Sequence, residues 1–119
     1  MNGDLTYSLI KKSLDAASLR QKVIAQNLAN INTKGYKRYE VVFEDVLRDK
    51  LNANTHDVQN VEPKVIRDDS TSMRTDGNNV DIDFEMSNQA ANDLLYSALV
   101  SQINYKMGIM KCVVTEGRE

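Results

Sequence analysis

The first third of the chain has the most regular spacing of apolar residues. From Tyr7 to Ile31 they recur at alternating steps of three and four, interrupted by the polar Gln21. This heptad spacing is typical of a helix that packs along another helix, and it predicts a helix from about Asp4 to Asn30. At 1.5 Å per residue, such a helix is roughly 40 Å long. The full seam is Tyr7, Ile10, Leu14, Ala17, Gln21, Ile24, Leu28 and Ile31.

Further apolar residues lie beside this seam. Leu9, Ala16 and Val23 run along it at steps of seven. The apolar surface is therefore wider than a single partner helix would cover, which indicates contact with more than one neighbour.

A second heptad seam lies near the end of the chain. It predicts a helix from about Phe84 to Val114 that begins near Asp83, after an extended part at Val80 to Ile82. Acidic residues at this start suit the positive end of a helix dipole. Because both long amphipathic helices are at the chain ends, the simplest architecture pairs them as an antiparallel coiled coil. The second seam consists of Tyr96, Val100, Ile103, Met107, Met110 and Val114.

The region between the long helices is more polar. The apolar spacing over Tyr39 to Leu51 predicts a short amphipathic helix, and a turn is expected at Asp76 to Asn79. The sparse apolar content of Asn52 to Ser72 predicts a polar loop that is partly flexible.

These elements predict a mainly α fold. Residues 1–38 and 83–119 form the paired terminal helices. Residues 39–82 form the intervening short helix, polar loop and extended segment.

The end of the first helix is rich in asparagine. Asn27, Asn30 and Asn32 lower the helix propensity here, because each amide competes for backbone hydrogen bonds. Gly35 can adopt the left-handed conformation that ends a helix. Two interpretations stay open: a plain helix end followed by a turn, or amides that hydrogen-bond a specific surface such as a neighbouring subunit.

Length and charge narrow the function classes. The 119 residues suffice for one domain, and the net charge is −2. Residues 1–39 hold seven Lys and Arg against two Asp, whereas the remaining residues hold eight Lys and Arg against fifteen Asp and Glu. The two parts are expected to attract each other, within one chain or between copies. Nucleic-acid binding is the weaker interpretation, because the sequence pI is about 5.4.

The sequence lacks the side chains of common catalytic and metal sites. A single cysteine, Cys112, excludes an internal disulfide framework and a cysteine-based zinc site. The single histidine, His56, lies in the polar middle, where a surface position is expected. The acidic residues around Asp81 lack the spacing of a calcium loop. We therefore expect no enzymatic activity, no cofactor, no metal and no small-molecule substrate.

The sequence contains neither of the apolar segments that usually direct a chain into or across a membrane. No run approaches the roughly 20 apolar residues of a membrane span. Lys11, Lys12, Arg20 and Lys22 interrupt the first segment, so it lacks the apolar core of a cleavable signal peptide. A location outside the cytoplasm would therefore require another export route.

Two segments of the chain resemble the flagellar basal-body rod and hook family. The first reads Arg20-Gln21-x-Val23-Ile24-Ala25-x-Asn27-Leu28-Ala29-Asn30-x-Asn32-Thr33-x-Gly35-Tyr36-Lys37. The second reads Asp76-Gly77-Asn78-Asn79-Val80-Asp81-x-Asp83-x-Glu85-Met86, followed by Asn92 and Tyr96. Lys34 stands where the family usually has Pro, and Phe84 replaces a usual polar residue. Two long segments in the right order, together spanning nearly the whole chain, make the resemblance specific.

The resemblance implies a structural subunit of the flagellar rod, in its proximal part, rather than an enzyme. Such subunits leave the cell through the flagellar type III export apparatus without cleavage. They stack helically into the drive shaft that links the membrane ring to the hook, and their paired end helices form the inner rod core. The implied signature and subunit-contact residues are Asn27, Leu28, Ala29, Asn30, Asn32, Thr33, Gly35, Tyr36, Asp76, Gly77, Asn78, Asn79, Val80 and Asp81.

The resemblance also implies partners. These are other copies of the chain, other rod proteins, the rod–ring adaptor and the flagellar export gate. Phe43 and Leu47 match the Phe-x-x-x-hydrophobic form of an element that such export substrates are thought to use, but they fit a plain amphipathic face equally well. The alternative function is a cytoplasmic coiled-coil adaptor or regulator.

Overall fold

The structure is a computed structural model that describes residues 2–53, 60–72 and 74–117. Its elements are α1 (Asn2–Ala29), β1 (Tyr39–Val42), α2 (Glu44–Asn52), β2 (Lys64–Arg67) and α3 (Ile82–Glu116). The expected mainly α fold, with a long helix at each chain end, is confirmed. His56, for which a surface position was expected, lies outside the described residues.

The two long helices run antiparallel and pack against each other. Asn27, near the end of α1, hydrogen-bonds Glu85 in the first turn of α3. Further along the pair, Nδ2 of Asn92 donates to the backbone oxygen of Ala17 at 2.9 Å. The pairing produces an elongated molecule with extents of 70 × 30 × 14 Å. The buried apolar residues of α1 are Ala16, Ala17, Val23 and Ile24.

Residues 39–42 form a strand, so the short helix expected over Tyr39 to Leu51 was wrong in its first part. β1 pairs antiparallel with β2, and Val41 lies opposite Val65. Helix α2 begins at Glu44, where Glu44 and Asp45 supply acidic side chains to its first turn. The apolar spacing could not reveal the strand, because its partner lies on the far side of α2 in the sequence.

β2 is a second element that the sequence did not indicate, since Lys64–Arg67 falls within the stretch expected to be a polar loop. All four of its residues are exposed. A strand without a buried face has no reason to alternate apolar and polar residues, so the usual sequence signal is missing. Residues 54–59 of the same stretch lie outside the described residues.

A small apolar cluster holds the middle segment on α1. Phe43, which is 2% exposed, packs with Ala16 and Val61. The half-buried Val46 and Leu47 of α2 pack against this cluster. The cluster fixes the position of α2 and of the chain that leads into β2.

Helix α3 begins at Ile82, one residue before the expected start, so Ile82 lies in the helix and not in the extended part. Asp81 is the N-cap. Its side chain accepts hydrogen bonds from the backbone N–H groups of Asp83 and Phe84 at 2.9 and 3.4 Å. The expected role of the acidic residues at this helix start is confirmed.

Candidate assembly site at the junction of the two signature segments

The structure brings the two signature segments into direct contact. The end of α1 and the turn after it lie against the turn that precedes α3. We call this contact region, formed by residues 27–38 and 74–85, the junction. The residues of the two segments that meet here are 41 or more positions apart in the sequence.

Asn27 forms one side of the junction and is fully buried. Its Nδ2 donates to the backbone oxygen of Tyr39 at 2.8 Å, and its Oδ1 accepts from the N–H of Tyr39 at 3.0 Å. Nδ2 also lies 3.3 Å from Oε2 of Glu85. The amide therefore supplies β1 with the hydrogen bonds that a neighbouring strand would make. These contacts of Asn27 lie inside the chain, and the subunit contact that the resemblance implies for it stays a prediction.

Tyr36 supports the same amide. Its hydroxyl donates to Oδ1 of Asn27 at 3.1 Å, and its ring meets that of Tyr39 edge to face at 6.2 Å between centroids. Burial, with the nearby oxygens of Tyr39 and Glu85, raises the pKa of the Tyr36 hydroxyl above its ordinary value. Tyr36 therefore stays a hydrogen-bond donor throughout the neutral pH range.

Asn78, in the second signature segment, forms hydrogen bonds to the turn that follows α1. It is fully buried, and its Nδ2 lies within 3.0 Å of the backbone oxygens of Asn30, Ile31 and Thr33. Its Oδ1 accepts from the N–H of Val80 at 2.8 Å. These three carbonyl groups belong to the turn that follows α1, so a side chain from a distant segment holds this turn in place.

Each signature segment has a glycine in its turn, and these two glycines lie next to each other. Gly35 and Gly77 have φ angles of +74° and +79°, and the N–H of Gly35 donates to the oxygen of Asp76 at 2.8 Å. A Cβ atom on Gly35 would meet no atom within 4 Å. The requirement for glycine at this position is therefore conformational, because residues with a Cβ rarely adopt this backbone region. The left-handed conformation expected for Gly35 is confirmed.

Asn79 forms hydrogen bonds to two other parts of the chain. Its Oδ1 accepts from the N–H of Arg38 at 2.7 Å, and its Nδ2 donates to the backbone oxygen of Asp68 at 2.7 Å. Its own N–H donates to the oxygen of Tyr36 at 3.3 Å. The residue thus links the two signature segments to the chain that leaves β2.

An ion pair lies at the centre of the junction. Nε of Arg38 donates to Oε1 of Glu85 at 2.6 Å, and neither residue is more than 6% exposed. Nη1 of Arg38 also contacts Asp68 at 3.2 Å and Glu40 at 3.4 Å, and its guanidinium lies 4.9 Å from the ring centroid of Phe84. Burial lowers the pKa of Arg38. The hydrogen bond and charge of Glu85, and the hydrogen bonds of Asp68 and Glu40, outweigh burial and raise the pKa above its ordinary value.

Asp68 is held in its charged form by its neighbours. The N–H and hydroxyl of Ser70, together with Arg38, lower the pKa of the Asp68 carboxyl below its ordinary value, against the effect of burial. The Ser70 N–H donates to Oδ1 of Asp68 at 3.0 Å.

Sequence reasoning did not select Arg38 or Glu85 as site residues. One signal was available. Glu85 and Asn92 are seven residues apart and lie on the same face of α3, and both are buried. A charged residue in line with an amphipathic seam indicates a buried partner of opposite charge. Only the tertiary structure identifies that partner as Arg38.

The other signature residues divide into buried and exposed groups. Val80 is buried, Leu28 is half-buried, and Ala29, Asn32 and Thr33 are exposed. Asn30 makes local hydrogen bonds, from its Nδ2 to the oxygen of Gln26 at 2.8 Å and to its Oδ1 from the Thr33 hydroxyl at 3.1 Å.

The two predicted seams differ in how far the single chain covers them. In the first seam, Ala17 and Ile24 are buried and Tyr7 is 38% exposed. In the second, Val100 and Ile103 are half-buried. The other apolar residues of the first seam are half-buried: Ile10, Leu14, Leu28 and Ile31. The other residues of the second seam are exposed: Tyr96, Met107, Met110 and Val114.

Phe43 and Leu47 have a defined place in the folded chain. Phe43 is in the apolar cluster, and Leu47 packs against it, with the Leu47 N–H donating to the oxygen of Phe43 at 2.9 Å. The packing face that the sequence allowed is therefore observed in the folded chain.

The charge asymmetry of the sequence also has a counterpart in the structure. Cations of the first third pair with acids of the remainder at Lys12–Glu62, Arg20–Glu44 and Arg38–Glu85. Attraction within one chain, one of the two expected alternatives, is thus observed.

The fold and the junction define an elongated helical subunit whose polar residues fasten chain segments together. In the ranges that the structure describes, no group of three or more His, Cys, Asp or Glu residues could hold a metal ion. In those same ranges, none of the helices combines the length and apolar character needed to cross a membrane.

The chain is similar to known proteins over nearly its whole length. A family model for "Flagella basal body rod protein" matches residues 13–37. The chain is 35% identical to the flagellar basal body rod protein FlgB of Bacillus subtilis, over 95% of both chains. It is 35% identical to FlgB of Borrelia hermsii, over 79% of this chain and 84% of that one. A shorter match, 49% identical over 39 residues, is to the flagellar basal-body rod protein FlgG of Buchnera aphidicola and covers 15% of that protein.

The chain belongs to the FlgB family of flagellar basal-body rod proteins. It is a structural subunit of the bacterial flagellar basal-body rod, and the family is one of structural proteins rather than enzymes. The resemblance carried by the two signature segments is confirmed.

Proposed function

We propose that this rod subunit leaves the cytoplasm through the flagellar type III export apparatus and assembles helically in the proximal rod. There it forms part of the drive shaft between the membrane ring and the hook. Its terminal helices, residues 1–38 and 83–119, form the inner rod core, joined by residues 39–82. Its partners are other copies of itself, other rod proteins, the rod–ring adaptor and the export gate.

One observation carries the assembly part of this proposal. Of the 17 large apolar side chains that are exposed in the described residues, 12 belong to α3 and only two to α1. Water disfavours so much exposed apolar surface on one helix, and a large exposed apolar patch is typical of a protein interface. Neighbouring subunits would cover the surface that α1 leaves open.

The signature residues take two roles in this proposal. Buried residues such as Asn27, Asn78 and Val80 hold the junction in shape within one subunit. Exposed residues such as Asn32 and Thr33 are available to contact the next subunit. The signature would then act on assembly both through the shape of the junction and through its outer surface.

The export element is proposed to work before folding. Phe43 is buried and Leu47 is half-buried in the folded chain. The export gate would therefore contact these side chains only in a chain that has not yet folded, and the same residues would later serve the apolar cluster.

Deletion of the gene, followed by electron microscopy of purified basal bodies and a motility assay, tests the function. We expect loss of the rod and of motility, both restored by the unchanged chain. A chain carrying Ile103→Asp, which places a charge on the half-buried second seam, should fail to restore them, whereas the exposed Lys22→Ala should succeed. A cytoplasmic adaptor would instead be absent from purified basal bodies, and that result would reject the proposed function.

A further inference from the structure

The two edges of the small sheet differ in how their backbone groups are used. Along an antiparallel pair of strands, residues whose N–H and C=O groups bond the partner strand alternate with residues whose groups point to the outer edge. The N–H and oxygen of Tyr39 bond the side chain of Asn27 at 3.0 and 2.8 Å, and the oxygen of Val41 accepts from Nη2 of Arg20 at 3.3 Å. Side chains of α1 therefore close the outer edge of β1.

The outer edge of β2 has no such cover. In the sheet, Arg67 lies opposite Tyr39 and Val65 lies opposite Val41. Because Tyr39 and Val41 direct their backbone groups away from β2, Arg67 and Val65 direct theirs away from β1. In the part of the chain that the structure describes, no other residue bonds these groups, and all four residues of β2 are exposed.

The free edge is short and has a defined length. Pro63, the next outward residue before Val65, has no N–H to donate, and β2 ends at Arg67. The edge thus offers the N–H donors and the carbonyl acceptors of Val65 and Arg67 alone. A sheet of two strands is only marginally stable, so a third strand at this edge would also strengthen it.

The side chains of β2 define the kind of strand that fits. Val65 and Ile66 are 47% and 42% exposed, and the exposed Lys64 lies on the same face of the sheet as Ile66. Arg67 already pairs with Asp69 at 2.6 Å, whereas among the described residues no acid lies within ion-pair distance of Lys64. A strand with an apolar and an acidic side chain two positions apart would cover Ile66 and compensate Lys64.

A second copy of β2 suits this edge less well. Two copies would bring two Lys64 and two Arg67 side chains onto one short sheet, and like charges across an interface are unfavourable. Asp68, which follows β2, already pairs with Arg38 at 3.2 Å. The charge of β2 therefore favours an acidic strand from a different protein.

We propose that the outer edge of β2 binds an extended segment of a different protein as an antiparallel third strand. Its acidic side chain lies opposite Lys64 and its apolar side chain opposite Ile66. Backbone hydrogen bonds to Val65 and Arg67 supply the affinity, and the two side chains select the sequence. The inference goes beyond the proposed function, because it assigns a binding surface outside the terminal helices.

A synthetic peptide is the probe for the full chain. The capped peptide Ser-Thr-Thr-Val-Thr-Glu-Thr-Ser, paired antiparallel, places its Glu opposite Lys64 when its Val lies opposite Ile66. One control peptide has Lys in place of Glu. A second control carries N-methyl groups on the two Thr residues that flank Val, which lie opposite Val65 and Arg67 and then cannot donate hydrogen bonds.

NMR titration of the isotope-labelled chain provides the readout. The Glu peptide should shift the amide resonances of β2 and slow hydrogen exchange at the N–H groups of Val65 and Arg67. The N–H groups of Lys64 and Ile66 face β1 and should change less. The unchanged chain should bind the Glu peptide at least about twofold more tightly than the Lys peptide, and Lys64→Glu should reverse that preference.

A matched pair of variants tests the backbone hydrogen bonds. Val65→Pro removes an outward N–H and no N–H that faces β1, whereas Val65→Thr keeps the N–H. Val65→Pro should bind the Glu peptide at least about fivefold more weakly than Val65→Thr. The N-methylated peptide tests the same kind of hydrogen bond in the unchanged chain, so the result does not depend on how Val65→Pro folds.

Four results would overturn the inference. The first is no binding of the Glu peptide at millimolar concentration, and the second is an N-methylated peptide that binds as well as its parent. The third is a Lys64→Glu variant that still prefers the Glu peptide. The fourth is self-association of the unchanged chain that Val65→Pro abolishes, since a second copy would then be the occupant. The proposed function is judged separately, by the presence of the chain in purified basal bodies.

Discussion

Nε of Arg38 donates to Oε1 of Glu85 at 2.6 Å, and this buried ion pair joins the chain entering β1 to the first turn of α3. The two residues are 47 positions apart. Removing one partner of a buried pair leaves the other charged and without compensation, which typically costs about 3–5 kcal/mol.

We therefore expect Arg38→Leu, which removes the cation from the fully buried Glu85, to lower the free energy of unfolding by about 3–5 kcal/mol, measured by urea denaturation. The double variant Arg38→Leu with Glu85→Leu should lose less than the two single variants together, because the fully buried charge of Glu85 is then gone. The exposed pair Arg48–Asp45 is the control, and Asp45→Ala should cost no more than about 0.5 kcal/mol. Equal losses for the buried and exposed pairs would contradict the importance of the junction.

The two asparagines at the end of α1 should behave differently. Asn27→Ala leaves the part-buried N–H and oxygen of Tyr39 without their partner and empties a fully buried position, so we expect a loss of about 2–4 kcal/mol. Asn30→Ala removes local hydrogen bonds at a half-exposed position and should change stability by less than about 0.5 kcal/mol. Thermal unfolding of both variants checks this. If Asn27→Ala kept full stability yet failed to form rods, its amide would serve a neighbouring subunit after all.

Replacing Gly35 should destabilise the chain because of the backbone conformation at this position, not because a side chain lacks space. Because φ is +74° and a Cβ would meet no atom within 4 Å, the loss of stability should increase in the order Gly35→Asn, Gly35→Ala, Gly35→Val. Gly35→Ala should cost about 1 kcal/mol. The helical Gly108, which also has open space around it, is the control, and Gly108→Ala should stabilise the chain by up to about 1 kcal/mol. A Gly35→Val variant as stable as the unchanged chain would refute the conformational argument.

Asp68 should make stability depend on pH in the acid range. Its pKa is lowered in the folded chain by Ser70 and Arg38, so its contribution is fully present above the ordinary carboxyl value of about 3.9. That contribution is lost as the pH falls through the lower, folded-state pKa. The difference in unfolding free energy between the unchanged chain and Asp68→Asn should therefore be constant from pH 5 to pH 7 and shrink below about pH 4. A difference that grew toward acid pH would have the wrong sign.

The sequence by itself determined the elements that depend on local spacing. Heptad periodicity specified two long terminal helices, because a helix places every third or fourth residue on one face regardless of its partner. Gly35 was likewise readable as a helix stop and the acidic residues near Asp83 as a helix start, since a left-handed turn and a favourable helix dipole depend on a residue and its immediate neighbours. The resemblance to rod proteins rested on the same local segments.

Only the tertiary structure decided what those segments do to each other. The sequence allowed Asn27 to reach either its own chain or a neighbour, and the fold places Tyr39 against it. β1 and β2 exist because they pair with each other, and no local pattern records a partner across an intervening helix. Nothing in the spacing indicated that the amide of Asn78 would meet the carbonyl groups of the turn after α1, or that Arg38 would be the counter-charge of Glu85. Periodicity reports which face of an element is apolar, whereas the identity of a buried polar partner depends on where the whole chain brings that face.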